Sequence, residues 1–198
     1  MAVPIEVPSL ATVRERLAEH THLRHQPDRA WAATALVLHD DPVTGPRVLF
    51  IERAQREGDR WSGHMALPGG KRDDADADLV ETARRETAEE VALKLPGPPM
   101  GRLRDVGSRV RGGFVATYVW GIDEVGELVP EPSEVAAIVW IPLATIFDPA
   151  AASRLVFRGL GPFPAIRHDE NVVWGLTHQT LQNFADVLGM GLPKARWR

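Results

Sequence analysis

The sequence has no cysteine in 198 residues. Disulfides, thiolate nucleophiles and cysteine metal sites are therefore excluded, and a reducing compartment such as the cytoplasm is expected. Long apolar runs are also missing. No stretch reaches the roughly 18 residues needed to cross a bilayer, and Met1 to Leu10 lacks the basic start and apolar core of a signal peptide, so no membrane association or export is expected. Neither sign of charge dominates: 23 Lys and Arg stand against 27 Asp and Glu, a formal net charge of -4. Such a balance gives no footprint for a nucleic-acid backbone, so a polyphosphate ligand would need a local basic patch or a metal ion. Repeats, low-complexity tracts and linkers are absent too. The composition that remains, 44% hydrophobic and 25% charged, suits one globular domain over residues 1–198.

Residues 9 to 25 carry Ser9 as a cap and Leu10, Val13 and Leu17 at helical spacing, which predicts an N-terminal helix. WAATALVL (31 to 38) and RVLFIE (47 to 52) are β-prone runs around a DDPVTGP turn and read as a hairpin. A polar segment ending in PGGKRDDA feeds a predicted helix over 77 to 92 (ADLVETARRETAEEVA). Strands are expected at 102 to 110, 113 to 122 and 134 to 141, with Gly112-Gly113 turning between the first two. A short helix (LATIF), two short strands and a final helix over 172 to 188 follow, the last with Leu176, Thr180, Leu181, Phe184 and Leu188 on one stripe. Strands flanking isolated helices imply an α/β (α+β) fold with a mixed sheet and helices on its faces.

Chemistry concentrates on the middle helix. Glu86, Glu89 and Glu90 stand at i, i+3 and i+4, so they project from one face, where three like charges repel. Water can absorb that repulsion on a plain surface helix; a hard divalent cation would instead turn the cluster into a site shared with phosphate oxygens. Leu79, Val80, Ala83 and Val91 form an adjacent apolar arc that can hold the helix on a sheet with its acids at the edge. Just upstream, Pro68-Gly69-Gly70 predicts a sharp turn where the backbone can approach a metal or phosphate closely.

This combination resembles the Nudix box: Gly, five residues, Glu, seven residues, then Arg-Glu-U-x-Glu-Glu-x-Gly-U, with U a bulky aliphatic residue. The matching residues are Gly70 and Arg85-Glu86-Thr87-Ala88-Glu89-Glu90-Val91-Ala92-Leu93. The gap from Gly70 to Arg85 is one residue longer than the pattern, the isolated Glu falls at Ala77 beside Asp76 and Asp78, Thr87 replaces U, and Ala92 replaces Gly. The resemblance implies the family's α/β/α sandwich and hydrolysis of a diphosphate in a nucleotide-type small molecule, with Mg²⁺ or Mn²⁺ as cofactor. It implies Glu86 and Glu90 as metal ligands, Glu89 as a further ligand or water-positioning base, Arg85 as the group orienting a glutamate, and the Gly70 carbonyl as another ligand. A Glu beyond the box often serves as base or ligand in this superfamily, and Glu134 is the candidate. Arg53, Arg60, Lys71 and Arg72 surround the glycine loop as phosphate-binding candidates.

The flanks are similar to those of the coenzyme A pyrophosphatases: Arg53-Ala54, Gly63 and Leu67-Pro68-Gly69-Gly70 upstream, Glu134-Val135, VWIPL (139 to 143) and VWGLT (173 to 177) downstream. Asp59 stands where that segment has Arg, and Trp61 where it has His. CoA or a derivative, cleaved to 3',5'-ADP and 4'-phosphopantetheine, is the implied substrate; ADP-ribose, dinucleoside polyphosphates, nucleotide sugars and oxidised nucleotides stay open. So does a Nudix-fold nucleotide binder without turnover, and an acidic scaffold for a basic partner. A homodimer is allowed by family habit. His20, His22 and His25 read as surface histidines, His64 as a structural one, and Trp61, Trp120, Trp140 and Trp174 as core residues that could alternatively stack on a base.

Overall fold

The computed structural model describes residues 5–20, 30–107 and 113–195; His22, His25 and Gly112 lie outside them. Helix α1 (Leu10–Glu19) starts at Ser9, whose hydroxyl accepts from the Thr12 N–H at 3.2 Å, and buries Val13 and Leu17. It ends at Glu19, with the His20 N–H shared between the carbonyls of Arg16 and Leu17; the rest of the expected span, 21–25, lies outside the described residues.

Strands β1 (Ala30–Asp41) and β2 (Gly45–Arg53) form the expected hairpin. Its turn is fixed by Asp41, whose Oδ1 accepts from the N–H groups of Val43 and Thr44 at 3.0 and 2.9 Å. The sheet continues with β3 (Met65–Ala66), β4 (Gly69–Lys71), β5 (Gly101–Arg102), β6 (Val106–Gly107), β7 (Phe114–Ile122) and β8 (Val135–Pro142). Among the described residues only β7 runs parallel to its neighbour, β1; the other pairings are antiparallel, so the sheet is mixed. A parallel pair needs a crossover, and α2 (Leu79–Val91) lies on that path.

Alternation along β1 and β2 builds two cores. Leu36, Leu38, Val48 and Phe50 face α1, α3 (Leu143–Ile146) and α4 (Gly175–Val187), whereas Ala33, Ala35, Val37, Leu49 and Ile51 face Leu79, Ala83 and Val91 of α2. Helices therefore cover both faces, which is the expected α/β/α sandwich.

Three local expectations change. The strand foreseen at 102 to 110 is interrupted after Arg102, whose guanidinium clamps the buried Asp105 carboxylate at 2.8 and 2.9 Å and bends the chain. Gly69-Gly70 is no turn: as β4 it pairs with Ala33 and Thr34 of β1. Beyond a single 3-10 turn (Pro149–Ala151), β9 (Ala152–Phe157), β10 (Leu160–His168) and β11 (Asn171–Trp174) make a three-stranded antiparallel sheet where two strands were foreseen. Val172, Val173 and Trp174 extend against Arg167, Ile166 and Ala165, so α4 starts at Gly175 and not at 172. Leu176 is consequently 40% exposed, while Thr180, Leu181, Phe184 and Leu188 are buried.

Helix α2 ends on Ala92 in the left-handed region, φ 58° and ψ 21°, with its N–H on the Ala88 carbonyl. Glycine accepts that conformation without the Cβ clash. Ala92→Gly is accordingly expected to raise stability by about 0.5–1 kcal/mol, read as a higher urea midpoint; a lower midpoint would mean that the Ala92 methyl contributes more than its strain costs.

Candidate active site

Helix α2 is placed by the loop before it. Asp78 caps its N-terminus, with Oδ1 accepting from Val80 and Glu81 N–H at 2.8 and 3.0 Å. Two residues earlier, the buried Asp76 receives Arg85 Nε and Nη2 at 2.9 and 3.0 Å. The same guanidinium donates to the Lys71 carbonyl at 3.0 Å, to Glu86 at 2.9 Å and to Glu89 at 2.9 Å. Arg85 thus joins β4, the loop and the acidic face of α2. Its hydrogen bonds hold the Asp76 carboxyl well below the usual range.

Glycines admit the strand that runs past these acids. A Cβ on Gly70 would lie 2.4 Å from the Glu86 carboxyl, and one on Gly69 would lie 2.3 Å from the Ala33 carbonyl oxygen. Gly69 has φ 147° and donates its N–H to Glu90 Oε2 at 2.8 Å. The third acid comes from the segment before β8. Val129 N–H and Glu131 N–H donate to the carbonyls of Val91 and Glu90 at 3.2 and 2.9 Å, laying that segment across the end of α2. Glu134 then arrives beside Glu86 and Glu90, with one oxygen of each carboxylate within 4.8 Å of the others.

Burial, aided by Glu86 and Glu134 and opposed by the Gly69 N–H, pushes the Glu90 carboxyl up to about 8. Burial also raises Glu86, against the pull of Arg85. Carboxylates held at such an electrostatic disadvantage, with hard oxygen donors converging, suit a divalent cation. Glu89 does not join them: its side chain is 58% exposed and paired with Arg85.

The NUDIX domain family matches residues 28–158 of this chain. The chain belongs to the Nudix family of hydrolases. It is 37% identical over 123 residues to an uncharacterized protein of Schizosaccharomyces pombe, C14C4.10c, covering 58% of this chain and 37% of that one. It is 35% identical over 161 residues to the human mitochondrial coenzyme A diphosphatase NUDT8, covering 76% of this chain and 66% of that protein. The chain thus spans well under half of the first relative and just under two thirds of the second. In fold it is similar to a chain in the crystal structure of the complex between the C-terminal domain of mouse MUTYH and human PCNA, with TM-score 0.51, 13% identity and coverage of 83% of this chain and 92% of that one.

The departures of this Nudix box have local explanations. Counted back from Arg85 the isolated acid falls on Ala77, but counted forward from Gly70 it falls on Asp76, and Asp76 is the residue that holds Arg85. Thr87 is buried with its hydroxyl donating to the Ala83 carbonyl at 2.7 Å, so it fills the aliphatic position without an orphaned polar group.

Among the basic candidates, Arg53 meets Asp59 at 2.8 Å and lies close enough to lower the Glu90 carboxyl. Arg60 is exposed, Lys71 lies 6.0 Å over the Trp31 ring, and Arg72 donates to the carbonyls of Asp76 and Ala77 at 3.1 and 3.0 Å. Arg72 therefore shapes the loop. Arg56 went unnoticed in the sequence: its Nη2 donates to Glu134 at 3.0 Å and its Nε to the Ser133 carbonyl at 2.7 Å. His64 packs against Trp61, Phe157 and Trp174 with centroids 5.5, 5.1 and 5.0 Å away. This aromatic group docks the 54–64 loop on the three-stranded sheet and gives His64 a structural role. Trp120 is core, Trp140 carries Arg47 4.8 Å from its ring, and His20 closes α1 through Nδ1 against the Arg16 carbonyl. No helix among the described residues is long and apolar enough to cross a membrane.

Proposed function

We propose that the chain is a divalent-metal-dependent pyrophosphohydrolase acting on CoA or a CoA derivative, releasing 3',5'-ADP and 4'-phosphopantetheine. The observation that carries the chemistry is the convergence of Glu86, Glu90 and Glu134 within 4.8 Å. Glu86 and Glu90, with the Gly70 carbonyl, hold Mg²⁺ or Mn²⁺, which when bound supplies charge neutralisation at the phosphoryl oxygens and acidifies water. Arg85 fixes Glu86 by a charge-assisted bond. Glu134 accepts the proton of the attacking water or completes the ligand set. Glu89 is the second candidate for that proton, because release of its exposed pair with Arg85 costs little.

CoA as substrate is supported by the upstream and downstream flanks and by the name of the human relative. The cytoplasmic address expected from composition gains nothing from that relative, whose name places it in mitochondria. Asp59 favours a second reading. It neutralises Arg53 at 2.8 Å where the CoA pyrophosphatase segment has a second Arg, which weakens the loop's hold on an extra phosphate and suits ADP-ribose or another nucleotide. Chromatographic product analysis on CoA, ADP-ribose, NADH and diadenosine polyphosphates, with Mg²⁺, Mn²⁺ or EDTA, decides between them. Metal-dependent release of 3',5'-ADP, lost in Glu86→Gln, is expected; turnover of another substrate alone would move the specificity, and ligand binding without turnover would overturn the hydrolase reading.

Arg56 steers Glu134 through a pair that is about half exposed on both sides. An exposed pair contributes at most about 1 kcal/mol, so Arg56→Ala is expected to weaken Mn²⁺ binding by about 2- to 5-fold in an electron-paramagnetic-resonance titration. A hundredfold loss would show that Arg56 also holds the turn itself.

A further inference from the structure

A cavity of about 330 Å³ lies between the three-stranded sheet, α4 and the 192–195 segment. It shares no lining residue with the acidic cluster. Arg154, Lys194, His178 and Gln182 give its polar wall, Pro164 and Leu192 part of its apolar wall, and no Asp or Glu is among the described residues that line it. His178 is the telling member. It is only 7% exposed and its ring meets no hydrogen-bond partner among the described residues, although buried polar groups normally have one. Burial pulls its pKa down, so at neutral pH the imidazole is uncharged and keeps one N–H to offer.

Arg154 donates an N–H to the Ala195 carbonyl at 2.8 Å and makes a further interaction besides, which together hold the guanidinium at the wall. A guanidinium carries five donors, and its planar fork matches phosphate oxygens, with the lysine adding a point charge. The volume is at the small end of ligand sites, room for a fragment but not for a whole dinucleotide.

We propose that this cavity binds a phosphate monoester carrying a short uncharged tail, the phosphate meeting Arg154, Lys194 and the His178 N–H and the tail lying along Pro164 and Leu192. The binding claim is independent of the catalytic reading. Diphosphate cleavage does, however, yield phosphate monoesters, so the reaction proposed above makes molecules of this class. Helix α4 also reaches the glycine strand's approach: Thr177, the neighbour of His178, donates its hydroxyl to the Met65 carbonyl at 3.2 Å.

The test is long-range ¹H–¹⁵N NMR of the histidine rings in the full chain at pH 7, in EDTA so that metal-bridged phosphate at the acidic cluster is suppressed. Inorganic phosphate, n-butyl phosphate and n-butyrate are titrated separately, and His178→Phe assigns the signal. Butyl phosphate is expected to shift the His178 resonances saturably with Kd below about 1 mM, more tightly than inorganic phosphate. Lys194→Glu, on an exposed residue that the fold does not need, is expected to weaken it at least about 5-fold. Equal binding of butyrate overturns the phosphate assignment, and no saturable shift by about 10 mM with any probe overturns the site.

Discussion

Glu90→Gln is expected to abolish turnover while making the metal-free protein more stable at pH 8. Glu90 is 2% exposed and sits beside two other carboxylates, and its folded pKa of about 8 lies well above the ordinary value of 4.5. The fold therefore prefers the protonated acid. That preference stabilises fully below the unfolded value and is lost progressively as pH rises towards 8. Gln copies the protonated shape and keeps a carbonyl oxygen for the Gly69 N–H, but carries no charge at any pH. In EDTA, urea titrations should show wild type losing stability between pH 5 and pH 8, and the variant exceeding it at pH 8 by about 1–3 kcal/mol. Loss of a charged ligand should lower kcat by about 100-fold or more. Cation binding to wild type should tighten over the same pH range, because the ion must displace the Glu90 proton. A variant no more stable than wild type at pH 8 would show that water, not protein, surrounds this carboxyl.

Asp76→Ala should cost the fold about 2–4 kcal/mol, since it strips a charge-assisted bidentate partner from a guanidinium that is itself mostly buried. Thermal melts at pH 7 read this directly. Because the Asp76 carboxyl titrates below its ordinary 3.8, its contribution is present above that value and fades as pH falls through and below it. Wild type and variant should therefore converge only in acid. Turnover should also drop, by about 10-fold, because Arg85 then orients Glu86 less firmly. Adding Ala77→Glu should rescue neither property, as Ala77 is exposed and its carbonyl is tied to Arg72; rescue would return the supporting role to the position counted back from the helix.

What the sequence made legible was local. Glu86 and Glu90 share a face through helix geometry alone, and the glycines before them are explained by contacts under 2.5 Å that a Cβ would make. Counting failed where the chain could absorb an extra residue: the loop between Gly70 and Leu79 has no periodicity, so only the fold selects Asp76 over Ala77. Glu89 looked equivalent to its neighbours until Arg85, one turn earlier, captured it. Arg56 was invisible because its partner lies 78 residues away. The third C-terminal strand was hidden for a related reason: Val172 and Val173 suit a strand or a helix, and pairing with Arg167 and Ile166 decides.

Glu134 is delivered by main-chain bonds: Glu131 N–H to the Glu90 carbonyl, Glu134 N–H to the Glu131 carbonyl, and Ala54 N–H to the Glu134 carbonyl, at 2.9, 2.9 and 2.8 Å. None of these depends on which side chain stands at 134. A substitution there exchanges the reagent while its holder stays put, so this is where the chemistry can drift over generations without first unravelling the scaffold. Glu86 and Glu90, wedged against the glycine strand, have no such freedom, and variation among descendants of this chain should concentrate at the third acid and spare the first two.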